Sequence, residues 1–186
     1  MGSIPFGFIL YYLSERKDIR GEGSGNIGAT NVLRSKGKVF GIATLLLDVA
    51  KGAVPVLYGF KHFQDDPTLI IIGGAAAIIG HIFPVFLKFK GGKGVATLVG
   101  VFITFSYPAL LVFLGFFVIA VWISRMVSLG SIIGTASIFF YTLFTNIPEV
   151  AMVVLVIVVL IIAKHGANIK RMIAGEENKF SWKKNG

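Results

Sequence analysis

Residues 68–87, TLIIIGGAAAIIGHIFPVFL, form twenty consecutive positions without Asp, Glu, Lys or Arg. At about 1.5 Å per residue, an α-helix of this length extends about 30 Å, which matches the hydrocarbon core of a bilayer. The apolar side chains form a continuous block and lack the periodicity of a helix with one face in water. The stretch therefore predicts a transmembrane helix.

The rest of the chain is also rich in hydrophobic residues. Of its 186 residues, 55% are hydrophobic, and the mean hydropathy is +0.81. Further hydrophobic segments occupy residues 1–13, 39–58, 95–105, 109–123, 129–145 and 150–163. We predict an all-α integral membrane protein with seven hydrophobic segments, the fourth and fifth of them short, in a single domain over residues 1–186.

The first segment is also short, because thirteen residues cover only about 20 Å. No basic residue precedes its apolar stretch, which argues against a cleaved signal peptide. We expect that the first helix lacks residues at its N-terminal end.

Residues 95–123 could form one kinked helix or two short segments, and the basic residues discriminate between these readings. Two segments place sixteen of the eighteen Lys and Arg residues on one side, as the positive-inside rule requires. One helix would move Arg125 and the basic tail to the opposite side. We therefore predict an outer N-terminus and a cytoplasmic C-terminus. Residues 95–105 reach only about 17 Å, so a partly inserted hairpin stays open beside two full crossings.

The first cytoplasmic loop reads GSGNIGATNVLR over residues 23–34. Residues 23–28 fit the pattern G-x-G-x-x-G, but no βαβ unit surrounds them, which excludes a dinucleotide fold. Glycines still let backbone N–H groups converge on an anion, and polar side chains add donors. A flexible glycine turn is the alternative. The predicted binding residues are Gly23, Gly25, Asn26, Gly28, Thr30 and Asn31, with Ser24 and Arg34 as catalytic candidates.

A second glycine-rich loop, KFKGGKGVAT over residues 88–97, follows the third segment. It is not a P-loop, because Gly94 follows Lys93 where Ser or Thr belongs. Gly91, Gly92 and Gly94 nevertheless suit a close approach of the backbone to phosphate, with Lys93 as a point charge. We predict these three glycines as binding residues and Lys93 as a catalytic residue. Positive-inside charge is the alternative; it accounts for the neighbouring lysines but not for three glycines around Lys93.

A third polar element follows the last segment. His165, Asn168 and Arg171 are three residues apart and share one face if the helix continues. We predict His165 and Asn168 as catalytic residues; polar side chains that snorkel at a helix end are the alternative.

Ionisable residues also occur inside the hydrophobic segments. Asp48 and Lys51 can pair at i, i+3, either for function or to brace the helices. His81 is a candidate binding residue, with a structural role as the stronger alternative. His62, His81 and His165 are too scattered for a metal site, and the chain has no cysteine. We predict no metal and no cofactor.

In combination, these elements resemble the bacterial acyl-phosphate:glycerol-3-phosphate acyltransferase family (PlsY type). The stretches that carry the resemblance are GSIPFG at 2–7, GSGNIGATNVLR at 23–34, LDVAKG at 47–52, GHIFPVFLKFKGGKGVAT at 80–97 and HGANIKR at 165–171. The resemblance implies seven transmembrane helices with a cytoplasmic active site in the bacterial inner membrane. It also implies transfer of a fatty acyl group from acyl phosphate to the 1-hydroxyl of glycerol 3-phosphate, a step of phospholipid biosynthesis. Expected partners are these substrates, membrane lipids and the enzyme that makes acyl phosphate, without nucleic acid.

Two questions remain open at the level of sequence. The base that accepts the hydroxyl proton is either His165 or a substrate phosphate, whose second pKa lies near 6. We favour the phosphate, since Glu22, Glu176 and Glu177 lie only on the flanks of the motifs. A transporter of phosphate esters is the runner-up function, but only Asp48 and Lys51 could line its path.

Overall fold

The computed structural model describes residues 1–64, 66–145 and 147–180. Over this part of the chain the secondary structure is helical, without a β-strand. The α-helices are α1 Phe6–Glu15, α2 Ala29–Lys36, α3 Lys38–His62, α4 Pro67–Ile82, α5 Val95–Phe105, α6 Tyr107–Ser124, α7 Val127–Thr142, α8 Pro148–Lys164 and α9 Gly166–Ile173. Two 3₁₀ helices occupy Ile19–Gly21 and Val85–Leu87.

Each of the seven predicted hydrophobic segments overlaps with one of these helices. Within the described residues, three helical stretches are long and apolar enough to cross a membrane: α3, α4 with the 3₁₀ helix that follows it, and α6. The pair α8 and α9, bent by 54°, makes a fourth if it counts as one span. Helices α5 and α7 are apolar but shorter. The predicted turn residues Asp65 and Asn146 and the basic Lys183 and Lys184 lie outside the described residues.

The chain divides into two compact units, the first ending at Phe105 and the second beginning at Ser106. In the first unit, α3 packs against α1, α2, α4 and α5. Glycines permit this close packing: Gly52 lies on the backbone of Thr97, and Gly100 lies on the backbone of Val49. A side chain at either position would push α5 away from α3.

In the second unit, α6 and α7 pack along their lengths, and α8 packs against α7. Gly130 and Gly134 of α7 lie against Phe117 and Phe113 of α6, where a Cβ would be 2.9 to 3.0 Å from their carbonyl oxygens. The turn between the two helices is closed at Arg125, which has a left-handed backbone (φ 61°).

Candidate active site

The two glycine-rich loops of the first unit are attached to the same small hydrophobic cluster. Ile27 of the first loop and Val32 of α2 are buried in it together with Leu87, which directly precedes the second loop. Tyr11 and Ile19 complete the buried set. Burial of Ile27 and Leu87 in this cluster removes their side chains from water and thereby holds both loops in position.

The N-terminal GSIPFG segment supports the first loop. A Cβ at Gly7 would clash with the backbone of Ile27, and a Cβ at Gly2 would clash with the backbone of Ala77 in α4. These contacts give the two glycines a packing role that the sequence alone did not reveal.

Asn31 holds the first loop in shape. Its Oδ1 accepts a hydrogen bond from the N–H of Ser24 at 2.8 Å, and its Nδ2 donates to the carbonyls of Glu22 and Asn26 at 3.0 and 2.8 Å. Its side chain is only 2% exposed. The predicted binding residue Asn31 is thus engaged with the loop backbone, and Asn26 is similarly engaged, because its Oδ1 accepts from the N–H of Gly28 at 2.8 Å.

Gly23 shows why this loop needs glycine. Its φ of +56° is left-handed, and a Cβ there would overlap the side-chain oxygen of Asn31. Gly25 has a φ of +70°. Ser24 lies between these two glycines and is exposed, so its hydroxyl is accessible to a ligand.

Helix α2 begins directly after this loop, with Gly28 as its N-cap. The N–H groups of a first helical turn have no partner within the helix, and they favour an anion. Thr30 and Arg34 are both exposed and are four residues apart, which places them on one face of α2.

Two of the basic residues that precede α3 form ion pairs. Arg20 forms an ion pair with Asp18 at 2.6 Å, and Lys36 forms one with Glu15. The hydrogen bond from Lys36 lowers the pKa of Glu15, which keeps that carboxylate ionised. Arg34 has no such partner among the described residues. Its guanidinium is therefore available to a bound anion.

The second glycine-rich loop lies against the end of α4. The N–H of Gly92 donates to the carbonyl of His81 at 3.1 Å, and the N–H of Gly91 donates to the carbonyl of Ile82 at 3.3 Å. Gly92 lies directly on the imidazole ring of His81. The loop ends at Gly94, which has a φ of +90° and whose carbonyl accepts the first helical bond of α5 from Leu98.

Lys93 lies between these glycines, partly exposed, just before the N-terminus of α5. The glycines of the loop allow its backbone to approach the end of α4 closely. His81 is only 4% exposed, and its ring packs against Gly92 of the loop. These contacts favour a structural role for His81 over the predicted binding role.

The predicted pair Asp48 and Lys51 exists within α3 and is almost completely buried. The Nζ of Lys51 is 2.6 Å from Oδ1 of Asp48 and donates to the carbonyl of Ile4 at 3.0 Å. The Nδ1 of His81 lies 3.6 Å from the same Asp48 oxygen. These contacts join α3, α4 and the N-terminal segment, which favours the bracing role.

In the second unit, His165 lies at the bend between α8 and α9 and is 1% exposed. Its Nδ1 is 2.8 Å from the carbonyl oxygen of Ile161. A carbonyl only accepts, so Nδ1 carries the proton, and Nε2 is the nitrogen that can accept one in the neutral ring. The shared face of His165, Asn168 and Arg171 was predicted on the condition that the helix continues, but the helix bends by 54° at His165.

Asn168 and Arg171 of α9 share a face as predicted, and both contact Glu177. The carboxylate of Glu177 accepts from Nδ2 of Asn168 at 2.7 Å and from Nε of Arg171 at 2.8 Å. It also accepts from the hydroxyl of Ser128, at the start of α7, at 2.7 Å. Burial raises the pKa of Glu177, but these three hydrogen bonds outweigh it, and the net pKa is lowered.

Sequence reasoning had left Glu177 and Ser128 out of the site. The segment after α9 turns at Gly175, whose φ is +74°, and returns to the α6–α7 turn, where the N–H of Phe180 donates to the carbonyl of Arg125. A glycine just after the last polar position of a helix is a signal of such a turn.

Comparisons with known proteins identify the family of this chain. The family model described as "Glycerol-3-phosphate acyltransferase" matches residues 1–175. A glycerol-3-phosphate acyltransferase of Syntrophotalea carbinolica is 46% identical over 181 residues, which cover 97% of this chain and 92% of the relative. The protein of the same name from Geobacter sulfurreducens is 48% identical, with the same coverage of both chains.

Two crystal structures of PlsY, an integral membrane glycerol 3-phosphate acyltransferase, have the same fold. The glycerol 3-phosphate form has a TM-score of 0.91 at 40% identity, and the lysophosphatidic acid form has a TM-score of 0.87 at 39% identity. Each comparison covers 97% of this chain and 90% of the other. The chain belongs to the glycerol-3-phosphate acyltransferase family of integral membrane proteins.

Proposed function

We propose that this protein transfers a fatty acyl group from acyl phosphate to the 1-hydroxyl of glycerol 3-phosphate. The observation that carries this proposal is Arg34 on α2, which is exposed and has no ion-pair partner among the described residues. It follows a glycine-rich loop whose backbone is held by hydrogen bonds to Asn31. Both substrates carry a phosphate, and an arginine can hold phosphate with two parallel hydrogen bonds. The solved relatives with glycerol 3-phosphate and lysophosphatidic acid support the acceptor and the product.

The reaction needs little covalent chemistry from the protein. The 1-hydroxyl oxygen attacks the acyl carbonyl carbon, the bond from that carbon to the phosphate oxygen breaks, and inorganic phosphate leaves. Because the mixed anhydride is already activated, positioning and charge stabilisation account for most of the catalysis. The sequence has neither a cysteine nor an H-x-x-x-x-D motif for an acyl-enzyme or a dedicated base.

We assign the phosphate-binding roles to the first unit. Ser24, Thr30 and Arg34 would bind one phosphate at the start of α2. Lys93, with the backbone of Gly91, Gly92 and Gly94, would stabilise the negative charge that develops on the leaving phosphate.

His165 and Asn168 would orient the glycerol moiety. The hydroxyl proton would pass to a substrate phosphate or to Nε2 of His165; we favour the phosphate. No metal or cofactor takes part in this scheme.

The acyl chain needs an apolar surface that lipid can reach. In the second unit, an open groove of about 550 Å³ lies between α6 and α7, lined by eight apolar or aromatic side chains and Ser137. One of its lining residues, Ile132, lies one helical turn after Ser128 on α7, and the hydroxyl of Ser128 contacts Glu177. We propose this groove as the site of the acyl chain.

We further propose that all seven hydrophobic segments enter the membrane, with the N-terminus outside and the C-terminus in the cytoplasm. Sixteen basic residues would then face the cytoplasm of a bacterial cell, where glycerol 3-phosphate is available. The enzyme that makes acyl phosphate would be a functional partner at that face.

The test is an assay of the purified protein in lipid with acyl phosphate and glycerol 3-phosphate. We expect one inorganic phosphate for each acyl group transferred, and an acyl group at the 1-position. Hydrolysis of acyl phosphate without transfer, or movement of glycerol 3-phosphate across vesicles without acylation, would contradict the proposal.

A further inference from the structure

The amide of Asn168 has one defined orientation, which Glu177 imposes. An ionised carboxylate accepts hydrogen bonds but cannot donate them. The 2.7 Å contact between Asn168 and Glu177 must therefore involve the NH₂ group of the amide. The amide carbonyl oxygen, Oδ1, consequently points away from Glu177.

The carboxylate itself is held firmly. Both Glu177 and Asn168 are buried, at 7% and 5% exposure. Oε1 accepts from Ser128 as well as from Asn168, while Oε2 accepts from Arg171. With three donors around it, Glu177 stays ionised, and rotation of the Asn168 amide would place an oxygen against an anion.

Among the described residues, no donor contacts Oδ1 of Asn168. We propose that Glu177 is a positioning residue that makes Asn168 present a hydrogen-bond acceptor, so that Asn168 recognises a hydroxyl group of the acceptor substrate and not its phosphate. This inference rests on the proposed function. A phosphate offers only acceptors near neutral pH, whereas each glycerol hydroxyl offers a hydrogen.

Exchange of the amide and the carboxylate between positions 168 and 177 tests whether Asn168 presents a hydrogen-bond acceptor to the substrate. Asn168→Asp should place two carboxylates together at about pH 8 and lower kcat/KM for glycerol 3-phosphate by at least about tenfold. Glu177→Gln should cost a similar factor, because its NH₂ must face either Arg171 or the Asn168 amide. The combined N168D/E177Q variant restores a donor–acceptor pair. Its glutamine NH₂ can donate to position 168 and to Ser128, and its carbonyl can accept from Arg171.

We therefore expect the double variant to recover kcat/KM to within about fivefold of the unmodified protein, since the substrate would still meet an oxygen acceptor. A double variant that fails to fold, or that is as impaired as either single variant, would contradict the inference. Glu176→Gln is the matched control, because this exposed neighbour carries the same charge and, among the described residues, its carboxylate makes no hydrogen bond to Ser128, Asn168 or Arg171.

A binding measurement separates this inference from the proposed function. Asn168→Ala should weaken binding of glycerol 3-phosphate about tenfold and leave the affinity for propyl phosphate, which lacks both hydroxyls, within about twofold. Equal losses for both ligands would show that Asn168 contacts phosphate. Absence of acyl transfer by the unmodified protein would instead overturn the proposed reaction.

Discussion

Gly92 packs against the Nε2 edge of the imidazole ring of His81. A Cβ at position 92 would be 2.8 Å from Cε1 and 3.0 Å from Cδ2 of that ring, and closer still to Nε2. The ring cannot move easily, because His81 is buried beside Asp48. The position of the loop that carries Lys93 thus depends on a glycine at 92.

Gly92→Ala should therefore displace the loop, since overpacking in a fixed environment costs about 1–3 kcal/mol. We expect kcat/KM to fall by about tenfold or more. In a His81→Ala background the added methyl group has space, so Gly92→Ala should then cost less than about threefold. Equal costs in both backgrounds would contradict the contact. Gly115→Ala is the control, because no atom lies within 4 Å of a Cβ there.

Substitutions of the two proposed phosphate-binding cations, Arg34 and Lys93, should both lower activity, for different reasons. Arg34→Lys should lose much of kcat/KM although the charge remains, because the lysine ammonium lacks the planar guanidinium that makes two parallel hydrogen bonds to a phosphate. Lys93→Ala should lose about 10²-fold or more if Lys93 stabilises charge in the transition state.

Lys90→Ala is the matched control for Lys93, because Lys90 is exposed and precedes the glycines. It should retain nearly full activity, and all three variants should remain folded and inserted. Near-normal kinetics for Lys93→Ala would assign Lys93 to membrane topology alone.

The hydrophobic helices could be predicted from the sequence because a helix surrounded by lipid needs a continuous apolar stretch. The observed ends of the helices differ from the predicted ends of the apolar segments. Helix α3, for example, continues to His62, beyond the apolar stretch that ends at Tyr58, because polar side chains at a helix end can reach water. The short helix α2 was missed because a mostly polar, eight-residue segment carries no hydropathy signal.

The motifs located the candidate residues but not their contacts. Nothing in the spacing shows that Asn31 serves its own loop, since its partners are backbone groups. The contact between Glu177 and Ser128 joins residues 49 positions apart. Such a pairing depends on the turn at Gly175 and on tertiary packing, which periodicity does not encode.

The proposed topology can be mapped with single cysteines, because the protein has none of its own. Cysteines at Ser14, Lys88 and Arg125 should react with an impermeant reagent only from the cytoplasm. Those at Gln64 and Glu149 should react only from outside. Cytoplasmic labelling at position 149 would show that residues 95–123 cross the membrane as one helix.

His165→Gln distinguishes the two candidate bases. If His165 only orients the substrate, the variant should raise KM for glycerol 3-phosphate more than it lowers kcat, and the acidic limb of the pH–rate profile should persist. If His165 is the base, kcat should fall by roughly 10²–10⁴-fold. Loss of both kcat and the acidic limb, with KM unchanged, would exclude the substrate phosphate as base.

The identity of the acyl donor tests the account most directly. The purified protein should be given glycerol 3-phosphate with either acyl phosphate or acyl-CoA of the same chain length, and formation of 1-acylglycerol 3-phosphate should be measured. Lys93→Ala provides the background rate. The account predicts product from acyl phosphate and none above background from acyl-CoA, because the role proposed for the two glycine-rich loops is to bind a phosphate at the reacting carbonyl. Comparable turnover of acyl-CoA would contradict it.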